Sequence, residues 1–194
     1  MSLFAKIAVC FVWVSLVAVG FGYVWKYEAT QGVSAAHQDW PTHSGLTLDR
    51  TQTTLVLFAH PECPCTLVSV RQLADLLNGK PSRPQVYVVI VQPPGLTQEI
   101  RNSVIAKAAR GISGAVVVGD PGGKEAKQFG AATSGQLFAF GPDGKERFRG
   151  GITSARGHYG PSDGLDALTA VLNGTSPNLT STPVYGCSLL GDIV

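Results

Sequence analysis

An α/β fold, with a central mixed sheet flanked by helices and set behind an N-terminal transmembrane helix, is what this sequence predicts. Three observations predict it. Short apolar runs rich in Val, Leu and Phe alternate with helical patterns between Thr54 and Leu172. Pro142-Asp143-Gly144 splits two later runs into a hairpin. Ile7 to Trp25 is an uncharged apolar stretch bracketed by Lys6 and Lys26, long enough at ~1.5 Å per residue to cross a hydrocarbon core of about 30 Å.

Taken in chain order, residues 1–27 read as a signal-anchor, with Tyr23, Trp25 and Tyr27 suited to an interfacial aromatic belt. The stretch is longer than the apolar region of an ordinary signal peptide, although Ala18-Val19-Gly20 and Val33-Ser34-Ala35 leave cleavage open. Lys6 and the terminal amine precede the span, and after Lys26 no Lys or Arg follows until Arg50. This places the soluble part outside the cytoplasm, in the manner of a single-pass inner-membrane protein facing the periplasm or exterior. Disulfides persist there. Residues 28–50 are polar and aperiodic and read as a linker, leaving 51–194 as the folded domain with a cysteine-bearing tail.

Within that domain, Thr54–Ala59 is an apolar strand. Cys65–Leu77 is a helix, with Leu67, Val70, Leu73, Leu76 and Leu77 on one face and Asn78-Gly79 as its stop. Val86–Val91 has the β-branched composition of a buried parallel strand, closed by Pro93-Pro94-Gly95. Thr97–Arg110 reads as a helix with Thr97 as N-cap and Gly111 as stop, Ala115–Val118 as a short strand, and the segment ending at Phe129 as a small helix. Gln136–Phe140 and Glu146–Arg149 form the hairpin, and Asp163–Leu172 is the last helix. The order β-α-β-α-β-α-β-β-α gives a sheet with a parallel part and one antiparallel hairpin.

The 194 residues carry 15 Lys and Arg against 13 Asp and Glu, dispersed along the chain. No basic stripe marks a nucleic-acid partner. No glycine pattern marks a nucleotide site.

Chemistry concentrates at Cys63-Pro64-Cys65, where the first strand gives way to the first helix of the domain. A helix N-terminus favours a thiolate, and strand ends are where open α/β sheets keep their sites. Three of the four cysteines, Cys63, Cys65 and Cys187, lie in the soluble part, and an odd count there points to a reactive thiol, an exchange partner or a metal ligand. A Cys63–Cys65 disulfide closes a very small, strained ring and is therefore readily reduced. Cys187 folding back to resolve one of the pair, or a structural Cys65–Cys187 bridge, are the other pairings left open. His60, three residues before Cys63, offers an imidazolium to lower a thiolate pKa or a neutral metal ligand. Glu62 offers a proton acceptor. Thr133 and Ser134 offer hydroxyls to a thiolate or an incoming chain, and the glycine-rich segment after Gly150-Gly151 carries Arg156 and His158 as binding candidates.

The order of elements and the paired cysteines after the first strand resemble the thioredoxin-like superfamily. The segment Val116 to Gly151, with its Asp-Pro turn, Phe-Gly helix end and Asp-Gly hairpin, is similar to membrane-anchored periplasmic thioredoxins and peroxiredoxins. His60-Pro61, Cys63-Pro64-Cys65, Thr133-Ser134-Gly135-Gln136, Gly150-Gly151-Ile152-Thr153, Arg156-Gly157-His158 and Val184-Tyr185-Gly186-Cys187 resemble bacterial RedB-like proteins. The resemblance implies a thioredoxin-like fold and thiol–disulfide exchange with protein thiols or disulfides, with no cofactor. Cys63 would attack, and Cys65 or Cys187 would resolve.

This chain departs from the superfamily in two places. The usual nucleophile position falls on Glu62, and the loop facing the cysteines, Ala132-Thr133-Ser134-Gly135, lacks the family's cis-proline. The same superfamily offers two alternatives. One is a copper chaperone for cytochrome oxidase assembly, using Cys63, Cys65 and His158, since two thiolates and an imidazole suit Cu(I). The other is a peroxidase resembling peroxiredoxins.

Overall fold

The computed structural model describes residues 2–78, 83–93 and 102–191. The chain forms two compact units, one up to Thr30 and one from Gln31 onward. The first is a single helix, α1 (Leu3–Ala29), whose Ser2 N-cap Oγ accepts the Ala5 amide at 3.3 Å and whose last turn carries Lys26. None of its side chains is buried, and its mean hydropathy reaches 2.3. It is long and apolar enough to span a membrane.

The second unit is built on a five-stranded sheet in the order β3-β2-β1-β4-β5. β1 (Thr54–Ala59) lies at its centre, parallel to β2 (Gln85–Gln92) and antiparallel to β4 (Leu137–Phe140). β3 (Ala115–Pro121) adds parallel to β2, and β5 (Glu146–Gly150) closes the hairpin with β4. All six β1 residues are buried, because both faces of the sheet are covered. Leu55, Leu57 and Ala59 pack with Val70 and Leu73 of α2 (Pro64–Asn78), Ile105 and Ala106 of α3 (Val104–Ala109) and Leu168 and Val171 of α5 (Asp163–Leu172). Val56 and Phe58 face the other way, onto Ala126 of α4 (Lys124–Gln128) and the aromatic group Phe129, Phe138 and Phe140.

Two details differ from the sequence pattern, and some expectations fall on residues that are not described. α3 starts at Val104, with Ser103 Oγ accepting the Ala106 amide at 3.1 Å. The cap and stops expected at Thr97, Gly79 and Pro94-Gly95 lie outside the described residues. Residues 31–50, irregular in backbone as expected, are packed: Ala35, Leu46 and Leu48 are buried in the aromatic layer, and Trp40 meets Phe129 and Phe140 edge-on at centroid distances of 5.4 and 5.1 Å. Four apolar anchors without periodicity leave no helix or strand signature.

α5 begins at a clean cap. Ser162 Oγ accepts the Leu165 amide at 3.1 Å and donates to the Ile152 carbonyl at 2.8 Å, tying the helix to the loop after β5. Ser162→Ala removes both bonds and should cost about 1 kcal/mol in urea unfolding at fixed redox state. An unchanged midpoint would show that the cap contributes nothing.

Candidate functional site

β1 ends at Ala59, and the chain turns through His60 to Cys63, the Cys63 amide donating to the His60 carbonyl at 3.1 Å. Pro64 opens α2, a position suited to a residue with fixed φ and no N–H to satisfy. Cys63 therefore stands immediately before the helix. Thr66, at the third helical position, favours ionisation of Cys63 by hydrogen bonding through its backbone and its side chain.

A buried chain of hydroxyls supports this arrangement. The His60 amide donates to Ser134 Oγ at 2.7 Å, and Ser134 Oγ lies 2.6 Å from Thr66 Oγ1. Thr66 also acts on Cys63, so the chain of hydroxyls links the His60 amide to that sulfur.

The C-terminal tail completes the cluster. Residues 180–183 run beside β5: Arg149 N–H donates to the Thr180 carbonyl at 3.0 Å and Thr182 N–H to the Arg149 carbonyl at 3.2 Å. Further on, Ser134 N–H donates to the Cys187 carbonyl at 2.8 Å, Leu189 N–H to the Ala132 carbonyl at 2.9 Å, and Thr133 pairs antiparallel with Ser188. This register brings Cys187 to Cys63, whose ionisation it favours through both its backbone and its side chain.

These contacts set the electrostatics. Burial of Cys63 opposes ionisation, but the hydrogen bonds from Thr66 and Cys187 outweigh it and hold this thiol below the usual cysteine range. Burial pushes Cys187 up to about 12, aided by its hydrogen bond to Cys63 and the negative charge there. Cys65 is raised by burial and then by the charge on Cys63, while Arg156 acts in the opposite direction. The cluster thus favours ionisation at Cys63 and opposes it at Cys65 and Cys187. All three cysteines are free; Cys63 is only 1% exposed, whereas Cys65 and Cys187 are half-buried.

The other candidates divide. Arg156 reaches the cluster, donating from Nη1 to the Gly186 carbonyl at 2.7 Å and acting on Cys65 and Cys187. Ser134 acts on Cys63 through Thr66, while Thr133 turns its hydroxyl away to the Val33 carbonyl at 2.8 Å. His60 Nδ1 accepts the Glu62 amide at 3.2 Å, and burial holds the imidazole below its usual range, so it is neutral here. Glu62 and His158 are exposed. Thr66 was not among the sequence candidates, although its place three residues after Cys63 is the N-cap spacing that could have found it. Among the described residues no group of three or more His, Cys, Asp or Glu is disposed to hold a metal ion, and His158 is exposed.

No protein-family model matches the chain, and no curated protein does. Solved structures do. An uncharacterized conserved protein from Geobacillus kaustophilus superposes with a TM-score of 0.62 at 21% identity, over 86% of this chain and 93% of that one. A hypothetical protein from Sinorhizobium meliloti 1021 gives 0.61 at 22%, over 82% and 93%. A thioredoxin-like protein from Aeropyrum pernix gives 0.50 at 11%, over 83% and 98%. With the central β1, the strand order and the cysteines at the strand-to-helix turn, the fold of this chain is thioredoxin-like.

Proposed function

We propose that this chain is a membrane-tethered, extracytoplasmic thiol–disulfide oxidoreductase of the RedB-like kind. The observation that carries the reading is the Cys63 sulfur, favoured as thiolate by hydrogen bonds from Thr66 and Cys187 and flanked by two further thiols.

Burial supports a different order of attack from the one expected from sequence. At 1% exposure Cys63 does not meet a substrate sulfur directly, so the half-buried Cys65 is the first to react. Deprotonated Cys65 attacks one sulfur of a substrate disulfide; the substrate S–S bond breaks, and one substrate thiolate leaves and takes up a proton. The Cys63 thiolate then attacks Cys65 in the mixed disulfide, closing Cys63–Cys65 and releasing the second substrate thiolate. Attack of deprotonated Cys187 on Cys63 frees Cys65 and leaves Cys63–Cys187. In sum, a protein dithiol becomes a disulfide and a substrate disulfide becomes two thiols, a two-electron transfer that runs in either direction. An external thiol reductant returns the protein to the dithiol.

Equilibration of the full chain in glutathione redox buffers, followed by alkylation and peptide mapping, tests this. The expected result is one two-electron couple in which Cys63 joins the disulfide. A Cys63 that remains a free thiol after full oxidation overturns the reading.

A further inference from the structure

The backbone of residues 132–134 offers what an extended polypeptide would use to dock beside the thiols: the Ser134 N–H and the Ala132 carbonyl. Both are already engaged, by Cys187 and Leu189 of the same chain. Nor is the tail a loose arm. Val184 and Leu189 are fully buried, the Val184 carbonyl accepts the Gly32 amide at 2.8 Å, the Pro183 carbonyl accepts the Gly151 amide at 3.2 Å, and Arg156 holds the Gly186 carbonyl at 2.7 Å. Gly186 lies so close to the Ser134 carbonyl that a Cβ has no space there. To lay its own strand on this edge, a protein substrate would have to break these bonds and expose Leu189.

We infer that the strand-docking edge of the site is permanently occupied by the chain's own tail, and that the substrates are low-molecular-weight thiols and disulfides rather than extended polypeptide segments. The inference rests on the exchange reading above. What the tail leaves partly open is Cys65, at the exposed Pro64 corner of α2 and under the influence of the Arg156 cation. A small disulfide needs only the approach of one sulfur to Cys65 and no backbone pairing. It is reduced to two thiols as Cys63 closes on Cys65, with the same balance of electrons and protons as before.

The test offers the reduced full chain oxidised glutathione and, separately, insulin. The inference expects rapid oxidation by glutathione disulfide, with insulin reduced no faster than in its absence. It further expects the Leu189→Asp protein, whose tail no longer seats, to gain insulin reduction. Should that variant fail to fold, Gly186→Ala, whose added Cβ meets the Ser134 carbonyl and lifts the tail without altering a charged group of the site, is expected to gain it instead. Insulin reduction by the unaltered chain at or above the rate with glutathione disulfide overturns the inference and leaves the exchange reading standing. Reaction with neither disulfide overturns the exchange reading itself.

Discussion

Cys63→Ser is expected to abolish disulfide exchange while leaving the fold intact. The two halves of that result come from the same position. Cys63 stands immediately before α2, and Ser is among the best N-cap residues, so a hydroxyl there can accept an amide of the first helical turn. What Ser cannot supply is the thiolate that attacks Cys65. Thermal unfolding of the reduced proteins should therefore differ little near neutral pH, and exchange with a small disulfide should fall to background. The pH dependence separates them further. A thiol whose folded pKa is depressed contributes stability above its unfolded pKa, and that contribution is lost as pH falls through the folded pKa. Cys63 does this in the wild type, and a serine hydroxyl in its place cannot. Cys187, raised to about 12, works in the opposite sense: its contribution is present below the unfolded cysteine pKa and lost as pH rises from there through about 12. Thiolate absorbance in the reduced wild type should thus begin to rise below the ordinary cysteine range, and Cys63→Ser should remove that early rise. Residual full activity in the variant, or an unaltered first titration step, would remove Cys63 from the centre of the site.

Gly186→Ala is expected to be the most destabilising single-methyl change in the tail. The added Cβ is directed into the Ser134 carbonyl, a backbone atom that cannot swing aside as a side chain would. Forcing the contact costs about 1–3 kcal/mol. If the tail lifts instead, the bonds from Ser134 and Leu189 are lost at about 1 kcal/mol each and buried Leu189 is exposed at about 2 kcal/mol. The cheaper route sets the loss, about 1–3 kcal/mol by urea unfolding at fixed redox state, with faster alkylation of Cys187 if the tail lifts. An unchanged midpoint and an unchanged alkylation rate would mean that the tail is not seated on residues 132–134.

The central layer was legible because its signals are local. β1 and β2 are unbroken apolar runs, α2 shows its buried face in Val70 and Leu73, and Pro142 to Gly144 marks the hairpin, where Gly144 takes φ +81°. Cys63 and Cys65 fell where strand meets helix for the same reason. The covering layers were not legible. Trp40, Leu46 and Leu48 find their places against Phe129 and Phe140, and Val184 and Leu189 theirs under the tail, through partners far along the chain with no period between them. The position of Cys187 depends on pairing its strand with residues 132–134 in one register. Nothing local in Val184 to Ser188 encodes that register. The orientation of His60 is likewise a tertiary outcome: Nδ1 is satisfied within its own turn by the Glu62 amide.

Because residues 187–189 belong to the same polypeptide as Cys63 and are pinned in register beside it, the encounter between these two sulfurs does not depend on dilution. A tethered group held in this way acts at an effective concentration on the order of millimolar or higher. Closure of Cys63 onto Cys187 is therefore first-order, and it outpaces capture of Cys63 by any dilute thiol in solution. Adducts between the protein and an external thiol should be short-lived for that reason, and the oxidised protein should accumulate as an internal disulfide even where the surrounding thiol pool is scarce.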